Sequence, residues 1–220
     1  MSIDTKRSEA RIVAAKSMAK MEEATRFMGG GQLSERGIIE TRRLAICPMT
    51  QRHLRFLLKL WNDPEIMRYA GFARNWDYVQ IKEWYERYKN RVVEHGTTDI
   101  QFVLKLKSGP LIGESGLGRL RTGWGCRDYK VRHGEIAVMT DIKLVKPFWH
   151  KGYGTEAMEA ITRYVFTSTY ADLLLVPPHR DNVPAIKLYE KAGFRKTEGI
   201  YYRYHMIYEM SKDRFDAVYE

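Results

Sequence analysis

The sequence is short of cysteine: there are two, Cys47 and Cys126, in 220 residues. Two isolated thiols offer neither a disulfide framework nor the spacing of a metal site, so each reads as a packed or idle thiol and no metal is expected. Long apolar runs are missing too. No stretch reaches the roughly 18 apolar residues that a membrane-spanning helix needs, and the longest candidates are interrupted by Lys, Arg or Asp. The segment from Met1 to Lys20 mixes charges with Ala and Ile and has no apolar h-region, so the cytoplasm is the expected location. Acidic residues are in deficit, 27 against 37 Lys and Arg, which leaves a formal charge of +10. Almost all of that excess lies beyond residue 40 and is dispersed. A basic body suits a phosphate-rich ligand. No basic run is interleaved with aromatics in the manner of single-strand binders, so neither nucleic acid nor a membrane is expected as a partner.

What is present is ample material for a core: 44% of residues are hydrophobic, as in an ordinary packed globule. The length suits one domain with an appendage. Residues 5–27 are rich in helix formers and carry an apolar stripe at Ile12, Ala15 and Ala19, and Gly29-Gly30-Gly31 then acts as a joint. Residues 1–38 are therefore read as an extension, either a helix for docking or homodimer contact or a loosely ordered arm. Residues 39–220 are read as the functional domain.

From Arg43 the pattern becomes mixed. Arg43–Pro48 alternates like a strand, and Leu54, Leu57, Leu58 and Trp61 recur at helical spacing behind Thr50. A second helix is predicted over 77–93, then two strands over 99–106 and 111–120 joined by Lys107-Ser108-Gly109-Pro110. A third strand is predicted from His133, with Glu135, Ala137, Met139 and Asp141 on one face. A helix follows over 155–167, then the apolar run Leu173–Val176, which reads as a strand buried on both faces. A short helix over 183–192 and strands near 194–197 and 205–210 complete an α/β sandwich, a mixed sheet with helices on both sides.

The most informative stretch is Trp149-His150-Lys151-Gly152-Tyr153-Gly154-Thr155-Glu156-Ala157, which follows a strand and opens a helix. A helix N-terminus has unpaired amides and a partial positive charge, and glycines let that backbone approach a ligand, so the stretch can hold a diphosphate. By itself it is equally readable as a tight turn. It is not a Walker loop, and it lacks the third glycine of the dinucleotide fingerprint. A second motif is Asn182-Val183-Pro184-Ala185-Ile186-Lys187-Leu188-Tyr189-Glu190-Lys191-Ala192-Gly193-Phe194. Leu188 and Phe194 have core character, Gly193 suits a left-handed cap, and Asn182 can cap the helix.

Together the two motifs resemble those of the GNAT superfamily of N-acetyltransferases, over roughly residues 40–212. The branch of ribosomal-protein N-terminal acetyltransferases and spermidine acetyltransferases is the most similar. The resemblance implies a mainly antiparallel central sheet flanked by helices, with acetyl-CoA as co-substrate. It places the cofactor on Trp149, His150, Lys151, Gly152, Tyr153, Gly154 and Thr155, with Asn182 toward the pantetheine. Tyr189 becomes the acid that protonates the departing thiolate, against the plain alternative of a half-buried aromatic. The base implied is Glu135, against an ion-paired surface carboxylate. Relatives have a shorter span between that glutamate and the glycine loop, so residues 141–148 contain an extension. If the strand continues through Ile142 and Leu144, Asp141 rather than Glu135 faces the acetyl group.

The acceptor implied is a primary amine, with a peptide or protein N-terminus ahead of a small amine. Aminoglycosides are the alternative, although a +10 chain is a poor host for polycations. A non-catalytic acyl-CoA sensor or scaffold would keep the loop and dispense with Tyr189. His53, His95, His179 and His205 read as surface or turn residues.

Overall fold

The structure, a computed structural model, describes residues 39–70, 75–95, 100–119, 126–127, 129–132, 135–202 and 204–219. The extension read over 1–38 and the strand start at His133 lie outside the described residues.

The described residues open with β1 (Ile39–Glu40) and β2 (Leu44–Pro48), followed by α1 (Leu54–Asn62) and α2 (Tyr78–His95). Then come β3 (Ile100–Leu106), β4 (Leu111–Arg119), β5 (Cys126–Arg127), β6 (Ala137–Thr140) and β7 (Lys143–Leu144). The remainder is α3 (Tyr153–Ser168), β8 (Leu173–Val176), α4 (Val183–Lys191), β9 (Arg195–Tyr201), β10 (His205–Ser211) and α5 (Lys212–Tyr219). Among the described residues the ten strands form one sheet in the order β1-β2-β3-β4-β6-β8-β10-β9-β5, with β7 paired to β4 beyond β6. The pairs are antiparallel except β6 with β8, which run parallel with Ala137 opposite Leu173 and Met139 opposite Leu175.

Alternation along the strands divides the interior. Leu44, Ile46, Phe102, Leu104, Val138, Leu174 and Val176 face α3, whose Ala157, Met158, Ile161 and Val165 come at helical spacing. On the opposite face Val103 meets Leu54, Leu57, Leu60 and Trp61 of α1 and Ile81 of α2. Leu173 and Leu175 face away from their β8 neighbours and join Ala137 and Ile207 in a third cluster. The apolar run 173–176 is thus buried on both faces, as its sequence predicts.

Two readings need correction. Of the strand predicted from His133 through Asp141, the residues described from Glu135 onward are strand only over Ala137–Thr140, resuming as β7 at Lys143, so Glu135 stands ahead of β6. His53 is a turn residue as expected but not a surface one: it is buried, and its Nδ1 accepts the Thr50 amide at 3.0 Å. Burial, helped by the nearby Arg52 charge, keeps its imidazole below the usual range.

Candidate active site

The topology makes the site. β6 stays beside β8 only through Met139, and β7 then follows β4 alone. The register on β4 is continuous across this step, Leu117 opposite Thr140 and Glu114 opposite Lys143. Asp141 and Ile142 therefore stand between β6 and β7, belonging to neither strand, where the sheet opens. Gly113 permits the crossing: a Cβ there would lie 2.3 Å from the Lys143 carbonyl oxygen.

Tyr189 reaches this opening from α4. It is 3% exposed, its ring meets Phe194 edge-on at 6.0 Å, and its hydroxyl lies toward the Ile142 amide. Burial pushes the phenol up, and the Asp141 carboxylate adds to that, so the hydroxyl keeps its proton at neutral pH.

Asp141 is tied down beside it. Its Oδ1 accepts the Gly116 amide at 3.3 Å and its Oδ2 accepts Lys143 Nζ at 2.5 Å. Lys143, with a side chain 14% exposed, also donates to Glu114 at 2.9 Å, and Glu114 is 1% exposed. Glu114 further accepts the Trp61 indole N–H at 3.1 Å and the Gln101 amide. Burial pushes the Glu114 carboxyl up, but three donors converge on its two oxygens, the arrangement of a carboxylate. Burial alone would push Lys143 down; Asp141 and Glu114 outweigh it and hold the ammonium well above its ordinary value. A buried carboxylate–ammonium–carboxylate row thus ends at the opening, where Asp141 is 43% exposed.

Glu135 is not brought to this place. Its carboxylate accepts the Arg132 amide at 3.0 Å and lies 4.0 Å from the Arg132 guanidinium. Sequence reasoning put it on the strand, yet it closes the turn ahead of that strand. Of the two substitutes, His133 lies outside the described residues, and Asp141 stands where β6 gives way to β7, near enough for its charge to act on Tyr189. Glu114 and Lys143 were missed. Their signal was one charged residue within each of two otherwise uncharged segments, Leu111–Leu117 and Ile142–Val145.

The glycine loop lies at the N-terminus of α3. Gly152 is the N-cap at φ +77°, and His150 is also left-handed at φ +57°. No side chain caps the helix, so its first amides are offered outward. Trp149 fastens the loop to the opening, its indole N–H donating to the Leu144 carbonyl at 2.6 Å. His150 and Lys151 are exposed and Tyr153 and Thr155 half-buried. Gly154 is buried, and a Cβ there would lie 2.5 Å from Leu188 Cδ1. This close approach seats the loop against α4 next to Tyr189. Asn182 takes the capping role, its Oδ1 accepting the Ala185 amide at 3.3 Å.

The acetyltransferase (GNAT) domain family matches residues 43–195. The chain belongs to this family. As a GNAT N-acetyltransferase it uses acetyl-CoA as co-substrate, and its mixed, mostly antiparallel sheet flanked by helices is the GNAT fold. Over 179 residues it is 25% identical to the uncharacterized N-acetyltransferase p20 of Bacillus licheniformis, covering 81% of this chain and 91% of that one. Its fold is similar to that of spermidine N-acetyltransferase from Vibrio cholerae, solved with CoA and spermine, with TM-score 0.63, 19% identity and coverage of 80% of this chain and 99% of that one. It is likewise similar to aminoglycoside acetyltransferase AAC(6')-Ib with coenzyme A, with TM-score 0.66, 19% identity and the same coverages.

The geometry of the glycine loop fits a diphosphate: uncapped amides, two left-handed residues, and Gly154 set close against Leu188. Gly154→Ala is expected to displace the Leu188 Cδ1 methyl and, by disturbing the seat of the loop, to raise KM for acetyl-CoA about three-fold. Steady-state kinetics with acetyl-CoA varied checks this, and an unchanged KM would disconnect Gly154 from the donor site. Among the described residues no helix is long and apolar enough to cross a membrane, and no cluster of His, Cys, Asp and Glu could hold a metal.

Proposed function

We propose that this GNAT enzyme acetylates a primary amine with Tyr189 as acid and Asp141, in place of Glu135, as base. The observation that carries the reading is the position of Asp141 and Ile142 where β6 leaves β8, with the buried Tyr189 near enough to feel the Asp141 charge. Acetyl-CoA, when bound, supplies an activated thioester; Gly152 to Thr155 would hold its diphosphate, with Trp149, His150 and Lys151 setting the loop and Asn182 beside its arm. Asp141 takes a proton from the incoming ammonium, giving the neutral amine that is nucleophilic. The Ile142 amide, outside the strand ladders and beside the Tyr189 hydroxyl, would donate to the developing oxyanion once that hydroxyl turns to the sulfur. As the amine nitrogen bonds to the acetyl carbon and the C–S bond breaks, the nitrogen loses its second proton to solvent, and the Tyr189 hydroxyl gives its proton to the departing sulfur. Solvent then reprotonates Tyr189 and takes the proton held by Asp141.

The acceptor proposed is a peptide N-terminus ahead of a small amine. The charge of +10 supports that order, since spermine and aminoglycosides are polycations. A thiol-release assay over peptides, polyamines and aminoglycosides is expected to give the highest kcat/KM with a peptide. A polyamine or aminoglycoside leading the panel would overturn the acceptor while leaving the chemistry in place. No thiol release above the no-acceptor blank with any amine, despite CoA binding, would favour a sensor or scaffold.

A further inference from the structure

One basic side chain at the loop has no part in the chemistry above. Arg43, at the entry to β2, is more than a hundred residues upstream of the loop in sequence, yet its guanidinium is built into it. Nε donates to Glu156 Oε2 at 2.6 Å, and Nη1 donates to the Lys151 carbonyl at 2.9 Å. The guanidinium carbon sits 4.2 Å from the centre of the Tyr153 ring. Nη2 comes within 3.3 Å of the point where a Cβ would stand on Gly152. Among the described residues it has no acceptor.

The carboxylate that anchors Arg43 explains the arrangement. Glu156 lies in the first turn of α3, where it would repel an anion at the helix N-terminus. It is instead saturated: Thr41 Oγ1 donates to it at 2.5 Å, and the Arg43 amide at 2.8 Å, in addition to Nε. Burial works to raise its carboxyl, and these donors outweigh burial and hold it below the usual range. Two nitrogens of the fork are thus committed to the protein, leaving the third at the loop's glycine, with 32% of the side chain open to solvent. A planar fork held in this way has little orientational freedom left to lose when an oxyanion arrives.

We infer that Arg43 is a donor-binding residue, whose Nη2 takes an oxygen of the diphosphate while Nε and Nη1 hold the loop that presents the amides. The inference rests on the glycine loop being the diphosphate site. The test compares three donors on wild type and Arg43→Gln: acetyl-CoA, its 3'-dephospho form, and acetyl-pantetheine, which lacks the diphosphate. Wild type is expected to prefer acetyl-CoA over acetyl-pantetheine in kcat/KM; no such preference would sink the loop assignment itself. In Arg43→Gln, KM for acetyl-CoA is expected to rise about ten-fold or more, with kcat held within about two-fold. The 3'-dephospho donor should show the same loss, and acetyl-pantetheine none. Each comparison is between donors on one preparation, so partial unfolding of the variant cancels. An equal loss with all three donors would make Arg43 purely structural. A loss confined to acetyl-CoA would move its contact to the 3'-phosphate. Either result overturns the inference.

Discussion

Replacing Tyr189 with phenylalanine is expected to lower kcat by about 100-fold, the range in which positioned acids contribute. KM for acetyl-CoA should stay within about two-fold of wild type, the pattern of an interaction made chiefly in the transition state. The substitution is a clean one. The ring keeps its place against Phe194, no buried hydrogen bond to another side chain is broken, and only the hydroxyl at the Ile142 amide is lost. The phenol titrates above its ordinary range because burial and the Asp141 charge both oppose ionisation, so acid delivery should persist throughout the neutral range and fail only in strong alkali. Steady-state kinetics on the two proteins decides the matter. A kcat equal to wild type would remove Tyr189 from the reaction and return it to the status of a packed aromatic.

Lys143→Met should be the most destabilising single change at the site. Methionine fills a similar volume, but it leaves Glu114, 1% exposed, without its cation. Breaking a buried pair by removing one partner costs about 3–5 kcal/mol, whereas removing both charges together is often nearly neutral. The expected signature is therefore non-additivity. Lys143→Met loses most of that amount in urea unfolding, while Glu114→Gln with Lys143→Met recovers a large part of it. A single variant that unfolds within about 1 kcal/mol of wild type would show that the row contributes little, as exposed pairs do. A double variant no more stable than the worse single would show that Trp61 and Gln101, rather than Lys143, hold Glu114.

Much of this architecture was legible in the residues. The β8 run, the helix after the glycine loop and the 107–110 hairpin turn are local patterns with strong periodicity or turn chemistry, and local patterns suffice to place them. Helix α5 was not expected, since Lys212–Tyr219 is charged with one buried anchor, Phe215. β1 and β5 have two residues each and exist through pairing alone. The two motifs located Gly152, Gly154 and Tyr189 because glycine and tyrosine there meet specific backbone and burial demands. The base was harder. Periodicity put Glu135 and Asp141 on one strand face, but only the departure of β7 from β8 decides which carboxylate lies at the opening, and that is a property of the sheet. Arg43 and Glu156 meet across more than a hundred residues, a distance at which spacing says nothing.

The end of α4 is not left to solvent. Gly193 turns the chain at φ +88°, and the carbonyls of Gly193 and Ala192 are taken by Arg214 Nε and the Tyr219 hydroxyl. Both donors belong to the final helix, so the segment that positions the phenol is secured by the last turns of the described chain. Fraying there would cost acetyl transfer before the central strands let go, and heat should silence the enzyme at a temperature below that of its cooperative unfolding.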